Sequence, residues 1–195
     1  MDWSVLGETF VTLVVIMDPV GVAPIFISVT QRLSAADRRR AALRATGAAA
    51  VLVIGFALVG RALFDYLDVS IESLSIAGGL LLMLVALEML RGFDEPSGDD
   101  VDVALVPLAT PLVAGPGAIA TVIILNEQNP STTGRVSVIA GIVAALLVVL
   151  AVLLAAERLG RILPASLISF LTRVFGLLLS AIAVQLVVDG VRGLV

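Results

Sequence analysis

"MDPVGVAPIF", residues 17 to 26, places an aspartate, two prolines and a glycine at the centre of an otherwise apolar run from Val5 to Thr30. A proline inside a helix removes a backbone donor and clashes with the preceding turn. Two of them with a glycine predict about one turn of unwound backbone at mid-span. Lipid cannot satisfy the freed backbone groups, so such a break has to face protein or a polar cavity.

The surroundings make this a membrane question. Of 195 residues, 59% are hydrophobic and 14% charged, and mean hydropathy is +1.13, far from the balance of a soluble domain. Apolar runs cover Val5 to Thr30, Ala45 to Phe64, Leu74 to Leu90, Ala104 to Leu125, Val136 to Ala156 and Val174 to Val188. Each is close to the ~20 residues that cross a bilayer as a helix, so six transmembrane helices are expected. The leading "MDWSVLGE" carries Asp2 and Glu8 and no basic residue, unlike a cleaved signal peptide.

Every basic residue is an arginine. Arg32, Arg38, Arg39, Arg40 and Arg44 follow the first run, and Arg158, Arg161 and Arg173 fall between the fifth and sixth. The positive-inside rule makes 31 to 44 and 157 to 173 cytoplasmic loops and puts both termini outside. In a bacterial cell this is a multi-pass inner-membrane protein with periplasmic termini.

The break has a counterpart in "TPLVAGPGAI", residues 110 to 119. Pro19 and Pro111 stand 92 residues apart, as do Pro24 and Pro116; Gly79 of "GLLLMLVALEM" and Gly176 of "GLLLSAIAVQL" stand 97 apart. The first run thus pairs with the fourth and the third with the sixth. Three spans per half reverse the second copy, so the expected fold is an all-α membrane protein built as a 3+3 inverted repeat, with broken first and fourth helices. The first repeat is 1–93, the acidic connector 94–103 and the second repeat 104–195.

A helix restarting at Pro24 or Pro116 presents unpaired N–H groups and the positive end of its dipole, a place for an anion. Gly115 and Gly117 leave that backbone open to close approach. The candidate binding residues are therefore Asp18, Gly21, Pro24, Thr110, Gly115, Gly117 and Ala118, with helix breaks at Pro19, Pro24, Pro111 and Pro116. Asp18 either caps the unwound turn or also contacts a ligand or cation. Glu88, with Arg91 three residues on, reads as a surface ion pair. Ser28, Thr30, Thr121 and Asn126 are weaker candidates, because helical hydroxyls bond back to their own backbone.

At these motifs the chain resembles the MarC family of six-span inner-membrane proteins. The resemblance covers the whole length and is carried by "DPVGVAPIF" at 18 to 26, "IAGGLLLMLVALEML" at 76 to 90 and "PLATPLVAGPGAIATVI" at 107 to 123. It implies a transport-like bundle, some members being reported as transporters of small neutral amino acids. One departure is Val22, where relatives often carry a polar residue such as Asn; the backbone and Asp18 remain the candidates there.

The expected function is a secondary transporter of a small zwitterionic solute, a neutral amino acid, working by alternating access. Coupling would be to H+ or Na+, with no other cofactor and no metal. A non-transporting scaffold of the same fold is the alternative. With no His and no Cys, imidazole shuttles, thiol nucleophiles and thiolate metal sites are excluded, and an enzyme is not expected. The partners expected are the solute and the lipid bilayer, not nucleic acid; a homo-oligomer is compatible with this.

Overall fold

A computed structural model describes residues 1–30, 33–91, 114–162 and 164–194. Among them the chain forms seven helices and no strand: α1 (Trp3–Met17), α2 (Pro19–Thr30), α3 (Ala35–Tyr66), α4 (Ile71–Arg91), α5 (Pro116–Gln128), α6 (Thr132–Ile162) and α7 (Ala165–Leu194). Among the described residues five stretches are long and apolar enough to cross a membrane: Trp3–Ala23, Ala35–Tyr66, Ile71–Arg91, Thr132–Ala156 and Ser166–Leu194. The expected fourth span falls largely outside the described residues, and α5, its described part, has 13 residues. The connector 94–103 lies outside them too.

The helices outrun the apolar runs. Helix α3 has 32 residues, or ~48 Å at 1.5 Å per residue, against a hydrocarbon core of ~30 Å. Residues 35 to 44, expected as loop, are its first turns. Likewise α6 runs to Ile162 and α7 starts at Ala165, so most of 157 to 173, expected as a loop, is helical. Hydropathy marks what lies in lipid, not where the helix ends, and arginine is a good helix former that carries these helices into the headgroup region.

Cross-helix contacts sort the ends. The Asp2 N–H donates to Ser137 Oγ at 2.7 Å, Arg61 pairs with Asp65 at 3.0 Å and with Glu127, and Gly190 packs on the backbone of Glu72. Both termini therefore gather at one end with the α3–α4 and α5–α6 turns. At the other end Arg38 Nη2 donates to the Thr30 carbonyl at 3.4 Å. Single cysteines at Ser34 and Ser131, both exposed and at opposite ends, test which end faces the cytoplasm in this cysteine-free chain. Ser131→Cys is expected to react with a membrane-impermeant maleimide in intact cells and Ser34→Cys only after lysis; the reverse pattern inverts the orientation.

Helix pairing follows a reciprocal scheme. Helices α1 and α2 lie on α6, α3 lies on α5, and α4 and α7 form the most extensive pair. Their contact is self-complementary. A Cβ added at Gly79 would meet the Ala183 carbonyl at 2.7 Å and Val187 Cγ2 at 2.7 Å. One added at Gly176 would meet the Ala86 carbonyl at 3.2 Å and Leu90 Cγ at 3.3 Å. Small residues here let two backbones approach closely, which is how helices associate in lipid. One buried cluster, including Met17, Val22, Leu82, Ala118, Ile142 and Leu179, runs through the bundle. Large side chains such as Val51, Leu58, Leu147 and Leu177 stay exposed, as suits faces turned to hydrocarbon.

Candidate functional site

The first apolar run is interrupted at a single residue, Asp18. Helix α1 ends at Met17, Asp18 takes φ 35 and ψ 66, and α2 begins at Pro19. The sequence explains the position: the residue before a proline is disfavoured in the right-handed helical region, and Asp is among the few non-glycine residues that enter the left-handed one readily. Its N–H still donates to the Val14 carbonyl at 3.1 Å, closing α1. Its Oδ1 accepts from the Gly21 N–H at 3.1 Å, capping α2. Pro19, at the first position of α2, has no donor to leave unpaired.

This corrects the expected break in one respect. Pro24, expected to restart the half-helix, lies inside α2. Capping by Asp18 supplies the helix start five residues earlier, so the unwound turn shrinks to a single residue.

Asp18 is 6% exposed. Its second oxygen, Oδ2, accepts no hydrogen bond from the described residues and lies over Gly21. Thr172 of α7, also buried, brings Oγ1 to 3.2 Å from the point a Gly21 Cβ would occupy. The carboxylate of a buried aspartate and a buried hydroxyl thus converge around Gly21. Such a set accepts cations: an ammonium group, a proton or a metal ion.

The second group of candidates lies at the start of α5. Gly115 caps it with φ −63 and ψ 165 and offers no side chain, Pro116 opens it, and the Ile119 N–H donates to the Gly115 carbonyl at 3.1 Å. The N–H groups of Gly117 and Ala118 precede that bond and have no intrahelical acceptor. One turn on, Thr121 is 3% exposed and its Oγ1 has no hydrogen-bond partner. That is unlike Thr30, whose hydroxyl donates back to the Phe26 carbonyl at 2.6 Å. Thr46 of α3 also buries an unpartnered hydroxyl.

Gly117 has a packing role that the sequence did not disclose. A Cβ there would run into Cδ2 and Cγ of Leu82 on α4, and Leu82 is 1% exposed. Gly117→Ala is therefore expected to lower the unfolding temperature, by an overpacking cost on the order of 1–3 kcal/mol. Adding Leu82→Ala should recover part of the loss, as a double-mutant cycle in detergent would read. Strictly additive losses would remove the contact as the reason for glycine.

Thus Asp18 and Gly21 are in direct contact, Gly115, Gly117 and Ala118 cluster on α5, and no hydrogen bond joins the two groups. Both are flanked by one apolar cluster: Met17 and Val22 on one side, Ala114 and Ala118 on the other. Thr110 and Pro111 lie outside the described residues. Asn126, a weaker candidate, is a strut: its Nδ2 donates to the Ala57 carbonyl at 2.9 Å. Glu88 and Arg91 are both exposed and form no ion pair. Sequence reasoning missed Thr172 and undervalued Thr121, since a lone threonine in an apolar helix carries no signal before its partners are seen.

Residues 3–195 match the family described as MarC family integral membrane protein. The chain belongs to the MarC family. A UPF0056 membrane protein of Methanocaldococcus jannaschii is 34% identical, with 99% of this chain and 98% of the relative aligned. The Escherichia coli UPF0056 membrane protein YhcE is 32% identical over 99% of this chain and 94% of its own length. The UPF0056 inner membrane protein YhgN of the same organism is 34% identical over 93% of each chain. These MarC relatives are named for the membrane and not for a solute. No solved structure matches the chain at a significant level.

Proposed function

We propose that this MarC protein is a secondary transporter of a small zwitterionic solute, a neutral amino acid, that binds at the Asp18 interruption. The observation carrying the proposal is a buried carboxylate inside an apolar span, with one oxygen spent on a cap and the other uncommitted. Ionisable groups at that depth are costly and are kept where they pair with something. In this reading the solute's ammonium group takes Oδ2 of Asp18 and the Thr172 hydroxyl. Its carboxylate takes the N–H groups of Gly117 and Ala118 at the start of α5, where the helix dipole favours an anion; Thr121 adds a donor one turn on.

Alternating access needs two halves that move against each other, and helix pairing supports such halves. Under the 97-residue offset Gly79, Ala86 and Leu90 correspond to Gly176, Ala183 and Val187, and the α4–α7 contact exchanges these same positions reciprocally. This reciprocity supports the reading of a two-fold axis between inverted repeats. The pairing of α2 with α6 and of α5 with α3 fits the same exchange. The inner membrane, with both termini periplasmic, is the proposed location, and H+ or Na+ the proposed coupling ion. The protein acts as a carrier and not as an enzyme.

Purified protein in proteoliposomes, loaded with one unlabelled neutral amino acid at a time and diluted into the labelled form, is expected to show counterflow for small side chains. No counterflow for any neutral amino acid, with the protein folded and inserted, would favour a non-transporting scaffold.

A further inference from the structure

Away from the Asp18 region, a crevice of about 310 Å³ opens at the arginine-rich end, lined by Ala35, Arg38 and Arg39 of α3 and Leu153 and Leu154 of α6. Its two walls differ in chemistry. Leu153 is buried, whereas Leu154 is 47% exposed on the outward face of the bundle, so one wall continues into the hydrocarbon. The other wall is cationic. Arg39 is exposed and makes no hydrogen bond or ion pair among the described residues. Arg38 is tied through Nη2 to the end of α2.

Asp37, which precedes Arg38 on α3, is engaged elsewhere. Asp37 Oδ2 accepts from Ser34 Oγ at 2.7 Å and its Oδ1 from Arg40 at 3.3 Å; it is occupied by groups that do not line the crevice. Arg158, one turn beyond Leu154 on α6 and exposed, adds positive charge at the same end. The first turn of α3, with its N-terminal dipole, faces the crevice through Ala35.

We infer that this crevice is a binding site for an anionic phospholipid, with the phosphodiester at Arg39 and the glycerol and acyl chain laid along Leu154. The volume suits a headgroup and glycerol and not a whole lipid, which leaves the chains outside against α6. Basic pockets between spans on the positive side of a bilayer take lipid headgroups in this way. A soluble anion would meet Arg39 and leave Leu154 unused. A lipid seated here contacts α3 and α6, and Arg38 links that site to the Thr30 carbonyl at the end of α2.

The test uses the full-length protein in neutral detergent, titrated with phosphatidylglycerol, phosphatidylcholine or inorganic phosphate, with bound lipid read by native mass spectrometry and unfolding temperature read in parallel. Phosphatidylglycerol is expected to bind and to raise the unfolding temperature, while phosphatidylcholine and phosphate do neither. Arg39→Gln, an exposed change that leaves the fold alone, should weaken phosphatidylglycerol binding roughly fivefold. Arg40→Gln, outside the crevice, should bind as the parent does. Equal binding by Arg39→Gln and the parent, equal binding of the two lipids, or a full thermal shift from phosphate alone would each overturn the site.

Discussion

Proteoliposomes carrying Asp18→Asn are expected to show no amino-acid uptake above empty vesicles, although the purified variant unfolds close to the parent. The pairing of these outcomes matters. Asparagine caps a helix about as well as aspartate and tolerates the left-handed backbone, so the α1–α2 interruption survives and only the charge is lost. Asp18→Ala removes more: the cap, worth about 1 kcal/mol, and a residue suited to positive φ, worth roughly 1–2 kcal/mol. A loss of transport in Asp18→Ala alone would mark the residue as a structural joint. Parental uptake by Asp18→Asn would mean that the carboxylate contacts no solute.

The second large effect concerns the α4–α7 pair. Gly79→Leu should fail to give a folded, monodisperse protein. The obstruction at Gly79 includes the Ala183 carbonyl at 2.7 Å and the Val187 amide nitrogen at 3.1 Å, backbone atoms that cannot swing aside. Even Gly79→Ala is expected to cost on the order of 1–3 kcal/mol. Gly176→Ala, whose nearest atoms stand at 3.0 to 3.3 Å, should cost less. Thermal unfolding of the two alanine variants reads this order; a neutral Gly79→Ala would show that the helices are further apart than described.

These two sites show what the sequence discloses and what it hides. Hydropathy locates the apolar helices, because lipid leaves a run of apolar residues no other regular structure here. The Asp-Pro pair locates the interruption, because proline acts on the residue before it. Its extent was not legible: Pro24 looked like a break and is accommodated inside α2, since a cap six residues earlier had already set the helix running. The matching "GLLL" stretches are legible as similar sequences. Their use as the close contact of α4 with α7 was not, because which face of an all-apolar helix meets protein is decided by partners far along the chain. The same holds for Gly117, whose glycine is explained by Leu82, and for Thr172, which matters only once α7 lies against Gly21.

The central claim, that solute sits at the Asp18 interruption, can be measured in a single-cysteine protein. Thr172→Cys places the only thiol of the chain beside Gly21 and Asp18. Its alkylation in proteoliposomes would be followed with and without the amino acid that gives the strongest counterflow. Alkylation is expected to slow as that solute is added, with half-protection at the concentration that half-saturates transport. An alkylation rate unchanged at saturating solute, in a variant that still transports, would place the binding site elsewhere and contradict this account.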